Sequence, residues 1–168
     1  VLFRSHPMAG REKKGYGYAS KEVFKNANYI LIEHPVNQKE CISFMERFVG
    51  TLGFKSVKIM SPQAHDEIIS FTSQLPHAIA VSLINSDNEK YETGKYIGDS
   101  YRDLTRIANI NENLWSELFL RNSDYLLASI EAFEEQLDLI KVALKDNDER
   151  LLKDLFIKSS LRREKLEK

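Results

Sequence analysis

The stretch Ser56-Val57-Lys58-Ile59-Met60-Ser61-Pro62 decides the fold, because two kinds of structure meet in it. Its first five residues alternate in the way that is typical of a strand and include β-branched side chains. Ser61 followed by Pro62 indicates a helix start, since serine can cap free backbone N–H groups and proline is tolerated in a first turn. We therefore predict strands and helices before this point and helices alone after it.

Before this point, residues 1–60 alternate between short apolar runs and helical stretches. Ser20 is placed to cap a short helix, and the run Tyr29-Ile30-Leu31-Ile32 is apolar enough for a buried strand. Residues 38–52 carry apolar side chains at helical spacing, and Gly53 is placed to end that helix. This order predicts an α/β region in which helices pack on a sheet.

After this point, residues 61–168 contain no convincing strand. The first helix should run from Ser61 towards Asn85, with a kink or break near Thr72–Pro76, because proline removes a backbone hydrogen bond and clashes with the preceding turn. Residues 86–98 are polar and contain two glycines, so they should form a loop.

Further helices are predicted towards the C-terminal end. Ser100 and Asp103 form a capping-box pattern for a short helix through Ala108, and another helix should start near Asn111. A last helix should follow residues 146–148. The clearest periodicity has steps of three and four and suits helix packing within one subunit or across a dimer; it comprises Leu126, Ile130, Phe133, Leu137, Ile140 and Leu144.

Composition excludes several classes of function. The chain has 42% hydrophobic and 29% charged residues, and its 24 basic and 25 acidic residues leave a net charge of -1, which argues against a nucleic-acid or anionic-lipid partner. No apolar run approaches the roughly 20 residues that span a bilayer. The single cysteine, Cys41, cannot form an internal disulfide, and no Cys/His pattern indicates a metal site. A reducing, cytoplasmic setting is expected.

Two segments could carry chemistry, whereas a third pattern is dismissed. Gly15-Tyr16-Gly17 begins like a dinucleotide fingerprint but lacks a preceding strand and the third glycine, so the chain alone should bind a dinucleotide poorly. His6, followed by Pro7, should be held out of regular structure at a strand end, where a neutral imidazole can accept a proton. Arg102 and Arg106 are four residues apart on one helix face, which is a plausible clamp for a carboxylate.

Five segments in this order resemble the prephenate dehydrogenase family. They are residues 6–15 (His-Pro-Met-Ala-Gly-Arg-Glu and a later Gly), 61–66 (Ser-Pro-x-x-His-Asp), 73–77 (Ser-Gln-Leu-Pro-His), 103–108 (Asp-Leu-Thr-Arg-Ile-Ala) and Trp115. The resemblance covers nearly the whole chain after Ser5. It implies an α/β tail of a Rossmann-type domain in residues 1–60 and an all-helical dimerisation domain in residues 61–168, and it places the glycine-rich NAD(P) loop upstream of this chain.

The resemblance also implies an activity and roles for residues. Family enzymes oxidatively decarboxylate prephenate to 4-hydroxyphenylpyruvate with NAD or NADP, and they are homodimers. His6 matches the catalytic histidine that draws a proton from the ring hydroxyl. Arg106 matches the arginine that binds a substrate carboxylate, and His77 matches a histidine of the substrate pocket. Gln74 stands in that pocket where many members carry histidine.

Three further residues, Glu12, Asp103 and Trp115, resemble a polar gate around the family's active site. Most of these roles have an alternative without function: a surface ion pair for Arg106, loop solvation for Glu12 and helix capping for Asp103. For His77 the alternative is a core histidine bonded to a carbonyl freed near Thr72, and for Trp115 it is core packing. We interpret His65 and Asp66 only as residues of a helix start.

Two alternatives for the whole chain stay open from the sequence. One is an enzyme of the same class that acts on arogenate, the amino analogue of prephenate. The other is a helical dimerisation or ligand-sensing module without catalysis.

Overall fold

The structure is a computed structural model, and it describes residues 4–9 and 15–166. The chain forms two compact units, residues 1–126 and residues 127–168. The first unit contains the sheet and the helices that follow it, and the second is helical. We predict a border at residue 60, between the α/β region and the helical domain. The two compact units instead divide after residue 126, so the predicted border stays a prediction.

Three short strands form one sheet in the order β1-β2-β3. β1 (Arg4–Pro7) pairs antiparallel with β2 (Asn28–Ile32), and β2 pairs parallel with β3 (Ser56–Met60). The parallel pair needs a crossover connection, and helix α1 (Lys39–Thr51) supplies it. The predicted α/β character of this region is confirmed.

The core of the sheet region lies between β2 and α1. Ile30, Leu31 and Ile32 are buried in succession, as is usual for a strand covered on both faces. On α1, the buried residues Ile42 and Val49 are seven positions apart and therefore lie on the same face. The helix ends where predicted, because Gly53 adopts a φ of 85°, which an L side chain rarely adopts.

Two details of this region differ from the expectations. The short helix after Ser20 is only a 3-10 turn, Lys21–Val23, although the Ser20 hydroxyl does accept a hydrogen bond from the backbone N–H of Glu22. His6 lies inside β1 rather than outside regular structure. Its neighbour Pro7 can end this strand because β1 is at the edge of the described sheet, where a missing N–H costs little.

The first long helical stretch is interrupted as predicted. It consists of α2 (Pro62–Ile69), a π-helical turn (Ser70–Gln74) and α3 (Leu75–Asn85). The Ser61 hydroxyl accepts a hydrogen bond of 3.1 Å from the backbone N–H of Ala64, which confirms it as the cap of α2. The π turn ends at Gln74, two residues before Pro76. Proline has no backbone N–H, so the helix loses little when its hydrogen-bond pattern changes at this point.

Helix α4 (Asp99–Thr105) ends earlier than predicted, at Thr105 rather than at Ala108. It is followed by a 3-10 turn (Arg106–Ala108) and by α5 (Glu112–Arg121). The predicted capping box is wrong, because Gly98 is the capping residue and Ser100 lies inside the helix. Extended backbone at Gly98 leaves Asp99 in the first turn, where its negative charge is favourable near the helix N-terminus.

Two long helices complete the chain. α6 (Ser123–Lys145) contains the predicted periodic stripe, and α7 (Glu149–Leu166) follows a turn in which Asn147 has a φ of 52°. The Asp148 carboxylate accepts a hydrogen bond from the backbone N–H of Leu151 at the start of α7. Within residues 127–166 many apolar side chains are exposed, namely Leu127, Leu137, Leu139, Val142, Leu144, Phe156, Ile157, Leu161 and Leu166.

None of the helices in the described residues is both long enough and apolar enough to span a membrane.

Candidate functional site

His6 is paired with a second histidine from the helical region. Its Nε2 atom lies 2.8 Å from Nε2 of His65, although 59 residues separate the two in the sequence. The two rings meet edge to face, with centroids 5.1 Å apart. Nδ1 of His6 lies 3.1 Å from the carbonyl oxygen of Pro7. The sheet and α2 therefore meet at these two imidazoles, and both are partly buried.

His65 is in turn held by a carboxylate. Its Nδ1 lies 2.8 Å from Oδ1 of Asp66, and the side chain of His65 is only 16% exposed against 51% for that of Asp66. The three side chains thus form a chain of contacts from a half-exposed carboxylate to the imidazole of β1. A carboxylate at one end can stabilise a positive charge that develops on either ring.

A second cluster surrounds His77 in the first part of α3. The rings of His77 and Trp115 are stacked with centroids 3.6 Å apart, and Phe119 packs edge to face on Trp115. Nδ1 of His77 lies 2.8 Å from the carbonyl oxygen of Ser73, in the π turn. The alternative to a substrate role for His77 was a core histidine bonded to a carbonyl near Thr72. The contact with Ser73, the residue after Thr72, is of that kind. It uses Nδ1 of the ring and not Nε2.

Arg106 lies at the start of the 3-10 turn that follows α4, and its side chain is exposed. Arg102 and Arg106 consequently do not belong to one uninterrupted α-helix, since α4 ends at Thr105. The turn of Arg106 packs against α3, the helix that carries His77. Asp103 is exposed on α4.

Gln74 is almost completely buried, with 4% of its surface exposed, and both ends of its amide are used inside the protein. Its Nε2 donates to the carbonyl oxygen of Leu118 at 3.0 Å, and its Oε1 accepts from Nδ2 of Asn122 at 2.8 Å. Asn122 also donates to the carbonyl oxygen of Asp66 at 2.9 Å. Gln74 and Asn122 therefore tie the π turn, α5 and the backbone beside His65 together.

The remaining predicted site residue, Glu12, lies outside the described residues. Among the described residues no group of three or more His, Cys, Asp or Glu side chains is arranged to hold a metal ion.

Three residues of this site were missed by the sequence reasoning: His65, Asp66 and Asn122. His65 and Asp66 belong to one of the segments that carry the family resemblance, so a signal was present, but helix-start chemistry explained it equally well. Asn122 carried no signal, because its partners are 48 and 56 residues away.

Comparison with known proteins identifies the class of this chain. A solved prephenate dehydrogenase from A. aeolicus, in complex with hydroxyphenyl propionate and NAD+, superposes with a TM-score of 0.82 at 30% identity and covers 96% of this chain. A Synechocystis arogenate dehydrogenase gives the same TM-score at 23% identity over 98% of the chain, which supports the fold alone. The fold is thus that of a group of dehydrogenases.

The family follows from the sequence profile. The profile described as "Prephenate dehydrogenase, dimerization domain" matches residues 61–158, more than half of the chain. The chain belongs to the prephenate dehydrogenase family.

Individual relatives are similar at a moderate level. The prephenate dehydrogenase of Bacillus subtilis is 30% identical over 147 residues, or 85% of this chain, and the cyclohexadienyl dehydrogenase of Zymomonas mobilis is 28% identical over 164 residues, or 95%. The chain spans 39% and 56% of these two relatives, and 58% of the A. aeolicus chain.

Proposed function

We propose that this chain supplies the proton-accepting histidine and the helical substrate-binding part of an enzyme that oxidatively decarboxylates prephenate to 4-hydroxyphenylpyruvate. The observation that carries the proposal is the surrounding of His6, a partly buried imidazole backed by a second imidazole and a carboxylate. Such a group is suited to take the proton of a ring hydroxyl while the carbon that bears it is oxidised. The loss of carbon dioxide then leaves an aromatic ring.

The predicted substrate contacts are part of this proposal. Arg106 would bind a substrate carboxylate through its planar guanidinium group, which forms two parallel hydrogen bonds where lysine forms one. His77 lies on α3, and Trp115 is stacked on one face of its ring. The two rings together offer a flat and partly apolar surface. Asp103 and Glu12 would form a polar gate, and the buried Gln74 would act on the substrate only if its internal hydrogen bonds were exchanged.

The cofactor is proposed from the family. The A. aeolicus relative was solved with NAD+, and we propose NAD or NADP for the enzyme that contains this chain. The segment Gly15-Tyr16-Gly17 does not fit the cofactor's phosphates, because Tyr16 and Gly17 lie in the three-residue 3-10 turn Tyr16–Tyr18 rather than before the N-terminus of a long helix. These residues are therefore given no role in holding the dinucleotide.

A homodimer in the cytoplasm completes the proposal. The matching profile is that of a dimerization domain, and the exposed apolar side chains of α6 and α7 suit such an interface. A reducing compartment fits a chain with one cysteine and an enzyme of amino-acid biosynthesis.

A second substrate is favoured by one specific finding. The Zymomonas mobilis relative is named cyclohexadienyl dehydrogenase, so arogenate should be tested beside prephenate. A higher kcat/KM for arogenate than for prephenate would make arogenate the proposed substrate.

The test uses an enzyme in which this chain is joined to a nucleotide-binding domain, either its own or that of a relative, which we call the joined enzyme. We expect His6→Asn to keep the shape of the pocket but to lower kcat by about 10²–10⁴-fold with little change in KM, because a base acts mainly in the transition state. Cofactor reduction at saturating prephenate measures this loss.

His34→Asn is the matched control, since His34 is exposed and lies in the loop after β2. It should retain the parental kcat. Undiminished turnover by His6→Asn would show that His6 is not the base.

A further inference from the structure

We propose that His65 occupies the place of the substrate hydroxyl on His6, and that the substrate displaces the His65 ring when it binds. This inference rests on the proposed function, in which His6 accepts the proton of that hydroxyl. The observation that carries it is that both ring nitrogens of His6 already have a partner within the protein, the carbonyl oxygen of Pro7 for Nδ1 and the His65 ring for Nε2.

The two contacts of His6 leave its ring no free direction for a hydrogen bond. Each ring nitrogen of a histidine makes one hydrogen bond in the plane of the ring, through either a lone pair or an N–H group. Nδ1 faces the carbonyl oxygen of Pro7 at 3.1 Å, and Nε2 faces Nε2 of His65 at 2.8 Å. This holds whichever nitrogens carry the hydrogens. With the ring of His6 in this place, a substrate hydroxyl can reach it only if one of the two partners leaves.

The partner of Nδ1 is fixed by the sheet. The carbonyl group of Pro7 belongs to the same peptide unit as the N–H of Met8, which donates to the carbonyl oxygen of Asn28 at 2.7 Å. Because a peptide unit is planar, this carbonyl cannot turn away from His6 without breaking the bond between Met8 and Asn28. Nδ1 of His6 is therefore closed to the substrate.

The partner of Nε2 is a side chain, which can move without a change in the backbone. His65 lies on α2 beside exposed residues, and its own side chain is 16% exposed. A change of rotamer turns the ring away from His6 towards solvent, where water can replace the lost hydrogen bond. The contact of His65 with Asp66 offers little resistance, since the Asp66 side chain is 51% exposed. The hydroxyl therefore binds at Nε2 of His6, in the place that His65 leaves.

A displaced side chain has a different kinetic effect from a side chain that takes part in proton transfer. If His65 covers Nε2 of His6 in part of the free enzyme, only the remaining fraction can bind substrate, and the apparent affinity is reduced by that fraction. Removal of the His65 ring should then improve KM and leave kcat unchanged. A residue that relays the proton or orients the base would instead lower kcat when it is removed.

In the joined enzyme we expect His65→Ala to lower KM for prephenate by about 2–10-fold, because one hydrogen bond contributes about 0.5–1.5 kcal/mol and about 1.4 kcal/mol corresponds to tenfold. Initial rates over a range of prephenate concentrations give KM and kcat. Gln63→Ala is the matched control, since Gln63 is an exposed residue of the same helix, and it should keep the parental KM. A damaged fold would reduce the yield of active enzyme but could not improve KM.

Binding of the product gives the same comparison without turnover. The phenol oxygen of 4-hydroxyphenylpyruvate is the oxygen of the substrate's ring hydroxyl, and calorimetry in the presence of the oxidised cofactor measures its Kd. We expect His65→Ala to lower this Kd by the same factor as KM. In crystals of the joined enzyme with the product, the phenol oxygen should lie within hydrogen-bond distance of Nε2 of His6, with the His65 ring turned away.

Three results would overturn the inference. They are a KM that does not fall in His65→Ala, a clear loss of kcat in the same variant, and a product complex in which His6 and His65 keep their contact. Failure of the proposed function is recognised separately, by full activity of His6→Asn.

Discussion

At the scale of single residues, the side chains of His6 and Arg106 are expected to act in different ways on the same substrate. His6 would exchange a proton, and its effect is therefore concentrated in the transition state. Arg106 would hold a carboxylate that keeps its charge throughout the reaction. An interaction of that kind stabilises the bound substrate and the transition state alike, so it acts on KM and on kcat/KM rather than on kcat.

Arg106→Ala tests this difference. In the joined enzyme we expect KM for prephenate to rise by about 30-fold or more, corresponding to a loss of about 2 kcal/mol for a desolvated charge pair, with kcat nearly unchanged. Initial rates over a range of prephenate concentrations give both constants. Arg121→Ala is the matched control, because Arg121 is also exposed and pairs with the exposed Glu117 on α5. An equal rise of KM in both variants would remove the specific role of Arg106.

At the scale of secondary-structure elements, the π turn and the residue after α5 hold the site together. Asn122 donates both to the carbonyl oxygen of Asp66 and to the buried amide of Gln74. The π turn aligns Gln74 for this contact, and the same turn contains Ser73, whose carbonyl binds His77. The position of α5 is therefore coupled through hydrogen bonds to the backbone beside both histidine clusters.

Asn122→Ala should lower the free energy of unfolding by about 1–3 kcal/mol, because it leaves the buried Oε1 of Gln74 without its donor. Unfolding in urea, followed by circular dichroism, measures the change. Asn113→Ala is the control, since the Asn113 side chain is exposed and its amide donates to the exposed carboxylate of Glu112 in the same helix. The control should change stability by no more than about 0.5 kcal/mol. Equal stability of the two variants would show that the network is not a structural tie.

At the scale of the whole molecule, the helices α6 and α7 expose several large apolar side chains. Leu137 and Leu144 are 46% and 64% exposed, and they lie seven residues apart on one face of α6. Phe156 and Ile157 on α7 are 59% and 58% exposed. Covering such side chains with a second copy of the chain is the arrangement that the dimerization profile leads us to propose.

We expect the chain to sediment as a dimer at tens of micromolar. The double variant Leu137→Glu and Leu144→Glu should dissociate it, because two charges would be buried without partners in the interface. Sedimentation velocity measures the change in mass, and circular dichroism checks that the helices persist. Glu131→Lys is the control for a change of charge on an exposed position of α6, and it should remain dimeric. A parent chain that sediments as a folded monomer would contradict the proposed dimer.

The sequence by itself predicted most of the elements, because the signals that start, stop and interrupt them are local. Ser61 with Pro62, Gly53 and Pro76 each act on backbone groups within one turn, so they can be read without knowledge of the fold. The capping pattern at Ser100 failed for a related reason. Two neighbouring residues, Gly98 and Asp99, offered an alternative start that differs by only a few tenths of a kcal/mol.

The tertiary structure alone decided which side chains of the site meet. His6 and His65 are 59 residues apart, and Gln74 and Asn122 are 48 apart. Their contacts depend on how the sheet, α2 and α5 pack, and packing is the sum of many weak, non-local interactions that no short pattern records. The sequence could therefore propose His6 as the base, whereas the pairing of His6 with His65 is decided by packing alone.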